Sequence, residues 1–237
     1  MKKIFPLSLL IIVLYNFSFS GNVTGKVNFK GTAPKPTAIK MNADAKCVSM
    51  HKGQTVNSEQ LVDNSNNTIQ WAFIYVKSGL PAGKKYPAPK TAAKIDQNGC
   101  MYSPHIQGVM TGQQIEITNS DGTLHNIHAL PKNSAQFNIA QPKQGMKTTK
   151  SFDKAEQMVK LKCEVHNWMA SYIGVMDNPF FAVSDDKGNF EIKDLPPGDY
   201  ELVAWHEPTQ SLKANEQTIK VKVTDKGATA DFTFEAK

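Results

Sequence analysis

Along most of this chain, apolar residues recur at every second position, in short runs closed by glycine or proline. That period suits a strand with one buried face. It is incompatible with an amphipathic helix, whose apolar stripe returns every three to four residues. Val23-Thr24-Gly25-Lys26-Val27-Asn28-Phe29 shows the alternation and stops at Gly31. Residues 69–76 are rich in aromatic and β-branched side chains, residues 114–118 follow a turn at Gly112, residues 158–162 run straight into Cys163, and residues 172–176 read as the next strand. Residues 81–89, rich in Pro and Lys, read as a loop. From Phe180 onward, strands at 180–183, 190–192, 200–205, 219–223 and around Phe232 and Phe234 are separated by turns at Asp186-Lys187-Gly188-Asn189 and Leu195-Pro196-Pro197-Gly198. Helical signals are confined to residues 44–50 and a weak turn pattern at 153–157. The prediction is an all-β protein built as two small sandwiches.

Residues 1–20 read as an export signal. Lys2 and Lys3 precede an apolar stretch at 4–15, and Ser18 and Ser20 supply the small residues of a cleavage site before Gly21. The stretch is short for a membrane anchor, and no cysteine follows it to carry a lipid. A periplasmic or secreted protein with no integral membrane span after cleavage is expected. Loss of Lys2 and Lys3 takes the net charge from +6 to +4. All 27 basic residues are lysine, so the arginine fork that reads phosphates and guanine edges is absent. The mild positive charge speaks for solubility, not for nucleic acid. Aromatic and β-branched residues run through the whole length, which excludes disorder.

Export places the cysteines in an oxidising compartment, and an odd number leaves one over. They are Cys47, Cys100 and Cys163. Cys163 has chemical company in Cys163-Glu164-Val165-His166-Asn167-Trp168-Met169, where thiol, imidazole and thioether share one loop between two strand-like runs. Cys47 and Cys100 have no such company and are paired here as a structural disulfide. A second imidazole stands upstream, in Asn119-Ser120-Asp121-Gly122-Thr123-Leu124-His125-Asn126. Two His, one Cys and a weak axial Met form the donor set of a blue-copper electron-transfer site: sulfur ligands suit Cu(I), and imidazole suits both oxidation states.

The remaining candidates have plainer readings. His128 lies an odd offset from His125 on a strand, so it points to the other face and is expected at the surface. His105 is expected to be structural. His51, four residues after Cys47, reads as a surface residue beside the disulfide, and His206 has no partner in the sequence. Trp168 can wall the site or simply pack. Met101, Met110, Met146, Met158 and Met176 are dispersed and read as core filler.

The ligand segment resembles the cupredoxins of the plastocyanin and amicyanin branch. The Cys-x2-His-x2-Met spacing is similar to the short ligand loop of amicyanin. Pro104, Val109, Gly112, Ile115, Ile117, Asn119, Asp121, His125 and Asn126 are similar to the strand-turn-strand that leads to the first ligand histidine. The resemblance spans roughly residues 100–177, about a third of the chain. It implies a cupredoxin Greek-key β-sandwich in which His125, Cys163 and His166 form the trigonal plane around one copper and Met169 is the long axial ligand. It further implies Asn126 as the residue that hydrogen-bonds the cysteine loop. His166 would be the exposed edge where a redox protein partner docks, in a small and weak encounter.

Asp186-x-Gly188-x-Phe190-x-Ile192-x-x-Leu195-Pro196-Pro197-Gly198-x-Tyr200-x-Leu202 resembles carboxypeptidase regulatory-like (transthyretin-like) β-sandwich modules, and Val23-Thr24-Gly25-Lys26-Val27 is similar to the first strand of such a module. The expected layout is a signal peptide at 1–20, an N-terminal β segment at 21–79, a cupredoxin domain at 80–178 and a regulatory-like sandwich at 179–237. The cupredoxin is either inserted into a split sandwich that begins in 21–79, or the units stand in series.

The function expected is that of an exported mononuclear type 1 copper protein carrying single electrons between redox partners. It is not expected to be an enzyme. The chain has no haem attachment sequence, no Gly-x-Ser-x-Gly elbow and no phosphate loop, and the four-donor set leaves no open coordination position. Two other readings stand beside it. One is an envelope- or glycan-binding module with a non-redox or vestigial metal site. The other is a red-copper-like enzyme in which Glu164 or His128 also ligates.

Overall fold

The computed structural model describes residues 20–58, 62–63, 66–209 and 211–237, so the signal expected at residues 1–20 lies, apart from Ser20, outside the described residues. In chain order the elements begin with β1 (Gly21–Lys30), α1 (Ala45–Met50), β2 (Val62–Asp63), β3 (Thr68–Ile69), β4 (Phe73–Ser78), β5 (Ala93–Asn98) and β6 (Met101–Ser103). Next come β7 (Ile106–Met110), β8 (Ile115–Asn119), β9 (His125–Leu130), β10 (Phe137–Gln141), β11 (Lys147–Lys150), β12 (Glu156–Lys162) and β13 (Ala170–Met176). The chain ends with β14 (Phe181–Val183), β15 (Asn189–Leu195), β16 (Gly198–Trp205), β17 (Glu216–Val223), β18 (Ala228–Thr229) and β19 (Phe232–Glu235). The protein is nearly all-β, and α1, at one of the two places with a helical signal, is the one helix among the described residues.

Four sheets enclose two main cores. The first core lies between the sheet β15-β1-β3-β2, to which β18 and β19 add on β1, and the sheet β14-β4-β16-β17. β1 runs antiparallel to β15 and parallel to β19, so the start of the chain is built into strands from its end. The alternation read in β1 puts Val23, Val27 and Phe29 inside, against Ile192, Leu202, Phe232 and Phe234. Each such side chain removed from water contributes about 1.5–3 kcal/mol.

The second core lies between the sheets β10-β9-β12-β13-β7 and β11-β8-β5-β6 and is filled by Ile95, Ile115, Ile117, Ile127, Leu161 and Ile173, among others. Met41 and Cys47, from the stretch read as part of the N-terminal β segment, pack into this second core.

A smaller apolar layer joins the two. β4 and β16 are buried on both faces: Ile74 and Leu202 face the first core, while Phe73, Tyr75, Val203 and Trp205 meet Ile106 and Met176 from β7 and β13. Burial on both faces explains why residues 73–76 read as an unbroken apolar run. In the parallel pair β7–β13, Gly108 sits opposite Gly174. A Cβ on Gly108 would lie 2.4 Å from the Phe181 ring, and one on Gly174 would lie 2.4 Å from the Phe73 ring. The two glycines leave a flat place on the sheet for those rings.

Candidate metal centre

The chain first prepares a turn ahead of β9. The Asn119 amide donates to the carbonyls of Thr123 at 2.9 Å and Gln141 at 2.7 Å, and its Oδ1 accepts the Asp121 N–H at 2.9 Å. An asparagine that bonds the backbone two residues on is a common turn former, and this turn delivers His125 buried at the start of β9. The second loop joins β12 to β13. It closes on itself through Cys163 N–H to Met169 O, 3.1 Å, and Met169 N–H to His166 O, 2.9 Å. Asn126 ties this loop to β9: its Oδ1 accepts the Glu164 N–H at 2.7 Å and lies 3.3 Å from Cys163 Sγ.

The two segments, 38 residues apart in sequence at Cys163 and His125, meet at one point. His125 Nδ1 lies 3.0 Å from His166 Nδ1, and Cys163 Sγ lies 3.9 Å from His166 Nδ1. All three side chains are buried, and they form a group whose ligand atoms lie within 4.8 Å of one another. Met169 is buried in the same core. Each imidazole is held from behind by a carboxylate. His125 Nε2 donates to Asp121 Oδ2 at 2.8 Å, and His166 Nε2 donates to Asp44 Oδ2 at 3.0 Å. A neutral imidazole that donates from Nε2 carries its lone pair on Nδ1. Two such lone pairs and a sulfur aimed at one dry point repel unless a proton or a cation lies among them, so the donor set fits a soft metal ion such as copper.

The titrations follow the same geometry. Burial raises the Cys163 thiol, but hydrogen bonding with His125 and nearby backbone amides outweighs it and brings the value down to about 7. Burial lowers His125, but its bonds to Asp121 and Cys163 outweigh that and raise it to about 9. Burial raises the Asp121 carboxyl, while the bonds from His125 and from the Cys100 and Gly99 amides bring it below the usual carboxylate range. At Asp44 the hydrogen bond from His166 is the main cause of a lowered value.

His166 does not form an exposed edge. It is 2% exposed, because α1 lies over it: Asp44 takes its Nε2, and Cys47 Sγ sits 3.5 Å from the same atom. Cys47 and Cys100 are joined in a disulfide. Trp168 packs its ring 5.1 Å from that of His166 and donates its indole N–H to Cys100 O at 3.0 Å, so it both walls the site and ties it to the disulfide.

His128 is partly buried and pairs with Glu164 at 2.6 Å; neither belongs to a metal-capable group among the described residues. His105 is buried against Glu207 at 2.8 Å. His206 is buried and donates from Nδ1 to the Glu207 carbonyl at 2.9 Å, and His51 pairs with Gly99 O at 2.7 Å. Asp44 is the site residue that sequence reasoning missed. It stands 122 residues from the histidine it touches, and its only local signal is that of a helix N-cap, bonding Lys46 N–H at 2.8 Å.

A family model described as a prealbumin-like fold domain (SpaA) matches residues 174–237, which contain the residues 186–202 that resemble transthyretin-like modules. No curated protein matches the chain. Among solved structures, a purple cupredoxin from Nitrosopumilus maritimus is 23% identical over 35% of this chain and 98% of its own, with a TM-score of 0.31. A Cu(I) form of an amicyanin variant is 19% identical over 44% of this chain and 97% of its own, with a TM-score of 0.32. The copper nitrite reductase of Thermus scotoductus is 18% identical over 43% of this chain but only 26% of its own, with a TM-score of 0.32. The chain is thus a nearly all-β protein whose residues 174–237 match a prealbumin-like fold domain.

Proposed function

We propose that this chain is an exported mononuclear type 1 copper protein that carries single electrons between redox partners, and that it is not an enzyme. The observation that carries this reading is the meeting of His125 Nδ1, His166 Nδ1 and Cys163 Sγ at one buried point. Copper bound there would supply one-electron chemistry by alternating between Cu(II) and Cu(I). The chain's part is to offer three strong donors from two segments, with the Met169 thioether as the weak fourth. Asp121 and Asp44 hold the rings in the tautomer that leaves Nδ1 free. Asn126 holds the thiol loop against β9. A site gripped this firmly moves little when its charge changes, which is what rapid electron exchange requires.

The same reading includes a layout. Residues 80–178, with the segment bearing α1, form a cupredoxin unit. The strands of residues 21–79 and residues 179–237 supply the two parts of a regulatory-like sandwich around it, a division supported by the pairing of β1 with β15 and β19. The partner is another exported or membrane-facing redox protein. Since His166 is covered, that partner approaches over the surface around α1 rather than onto the imidazole itself.

The test is to load the full chain with one equivalent of Cu(II) and record visible absorption and EPR, with Cys163→Ser alongside. The expected result is an intense thiolate-to-copper band with narrow hyperfine splitting, lost completely in the variant. A colourless wild-type protein overturns the reading and shifts the weight to a binding module.

A further inference from the structure

We infer that Asp44 is a positioning residue of the metal centre, and that the Cys47–Cys100 disulfide serves to hold it there. The inference rests on the copper reading above and goes beyond it, since it assigns a role to a segment outside the ligand loops.

α1 has six residues, too few to persist as a helix by itself. Three ties fix it. Cys47 is bonded to Cys100 at the end of the β5–β6 turn. Lys46 Nζ donates to Gly122 O at 3.2 Å. Asp44 caps the helix with one carboxylate oxygen and takes the His166 Nε2–H with the other, at 2.8 and 3.0 Å. One side chain therefore completes the helix and holds the imidazole. If α1 left, His166 would lose its carboxylate, its cover and the sulfur beside its Nε2 together.

The two aspartates behind the histidines are also linked to each other. Asp121, which holds His125, accepts the backbone N–H groups of Gly99 and Cys100 at 2.8 Å each. Asp44, which holds His166, stands three residues before Cys47. The disulfide therefore ties the support of one ring to the support of the other, and Trp168 closes the gap by bonding Cys100 O beside His166. A covalent bond whose two ends each lead to a carboxylate on a different ligand imidazole fixes the spacing of those rings. This explains why the disulfide sits against the metal centre instead of elsewhere in the core. A carboxylate on the back of a ligand imidazole makes that ring a stronger donor and favours the more highly charged Cu(II). Asp44 therefore lowers the reduction potential as well as orienting the ring. Its side chain keeps 25% exposure, so it can be replaced without opening a core cavity.

The experiment compares the full chain with Asp44→Asn, Asp44→Ala and the double variant Cys47→Ala, Cys100→Ala. Three readouts are taken: reduction potential, copper affinity, and long-range nitrogen–proton NMR of the His166 ring in metal-free and zinc-loaded protein. In Asp44→Ala the His166 Nε2–H is expected to exchange with solvent much faster than in wild type. Copper affinity should fall by about 10–100-fold. A ten-fold loss in preference for Cu(II) over Cu(I) would appear as a potential about 59 mV higher. Asp44→Asn retains an accepting oxygen, so it should keep the protected Nε2–H and the absorption band while still raising the potential. The double cysteine variant should show the exchange of Asp44→Ala with Asp44 intact. Wild-type values in Asp44→Ala for exchange, affinity and potential overturn the inference. A wild-type protein that binds no copper overturns the copper reading alone, because the NMR comparison needs no copper and still decides whether Asp44 holds His166.

Discussion

The two cores of this molecule have the same architecture, paired sheets over alternating apolar residues, but they differ in what else they bury. The first, around Val27, Ile192, Leu202 and Phe232, is mostly apolar; Thr68, Ser184 and His206, whose ring lies 6.3 Å from that of Phe234, are its polar inclusions. The second contains Gln97, Asn119, Asp121, His125, Asn126, Gln141 and His166, all buried. Most of these bond one another or the backbone in a connected set that ends at Cys163. Burying polar groups stabilises less than burying apolar ones and demands a partner for every atom. A sandwich that carries such a set at one end gains a specific arrangement of donors at a cost in stability. The comparison teaches that one region supplies stability and the other spends part of its own on a site.

The contrast can be broken experimentally, and the largest effect should come from the apolar region. Phe232→Ala removes a fully buried ring and should cost about 3–5 kcal/mol. Denaturant unfolding should show this, while, on the copper reading proposed above, the folded variant should keep the absorption band of the wild type. A weakened band in the folded protein would mean that the two regions are not independent. Asn119→Ala leaves Thr123 O, Gln141 O and the Asp121 N–H without their partner and should cost about 1–3 kcal/mol. Unlike Phe232→Ala, it should also weaken metal binding, because the turn before His125 loosens. Titration with metal at wild-type affinity would refute the role given to the turn.

Gly174→Ala tests the joint between the regions. The added methyl would meet the Phe73 ring at 2.4 Å, and overpacking of this kind costs about 1–3 kcal/mol. One unfolding transition is expected in the wild type and two in the variant, with the two regions melting apart; an unchanged melt would show that Phe73 moves aside freely.

The smallest effect concerns the exposed turn of the first region. At Asp185, burial raises the carboxyl, but the bonds from the Asn189 backbone and side chain and from the Lys187 N–H together outweigh it and bring it below its ordinary value. A lowered folded value means that the contribution is present above the unfolded pKa and fades as pH falls through the folded one. Asp185→Ala should therefore be less stable than wild type by under about 1 kcal/mol at pH 6, given the solvent around it. The difference should close below about pH 4. A difference that grows on acidification would refute this account.

Much of the fold was legible from residue patterning. Alternation located most of the longer strands, because a sheet with one buried face imposes a period of two. It placed Val23, Val27 and Phe29 on the inner side of β1. The donors of the candidate site were legible in part: Cys163, His166 and Met169 share one loop, and a local spacing survives folding unchanged. Adding the upstream His125 to that local set drew on donor chemistry and on the resemblance to cupredoxins, because nothing in the spacing ties the two segments together. The exposure of His166 was misjudged, since nothing near residue 166 announces the helix that covers it.

What the sequence determined by itself was therefore local: the period of the strands, the turns at Gly112 and at residues 186–189, and the chemistry of the Cys163 loop. These depend on neighbours within a few residues. Only the tertiary structure decided that His125 Nδ1 and His166 Nδ1 would stand 3.0 Å apart, that Asp44 would reach a ring 122 positions away, and that Gly108 and Gly174 would pair beneath the rings of Phe181 and Phe73. The physical reason is that strand pairing and sheet packing bring together residues whose separation along the chain carries no signal, and the site's electrostatics arise from those long-range meetings.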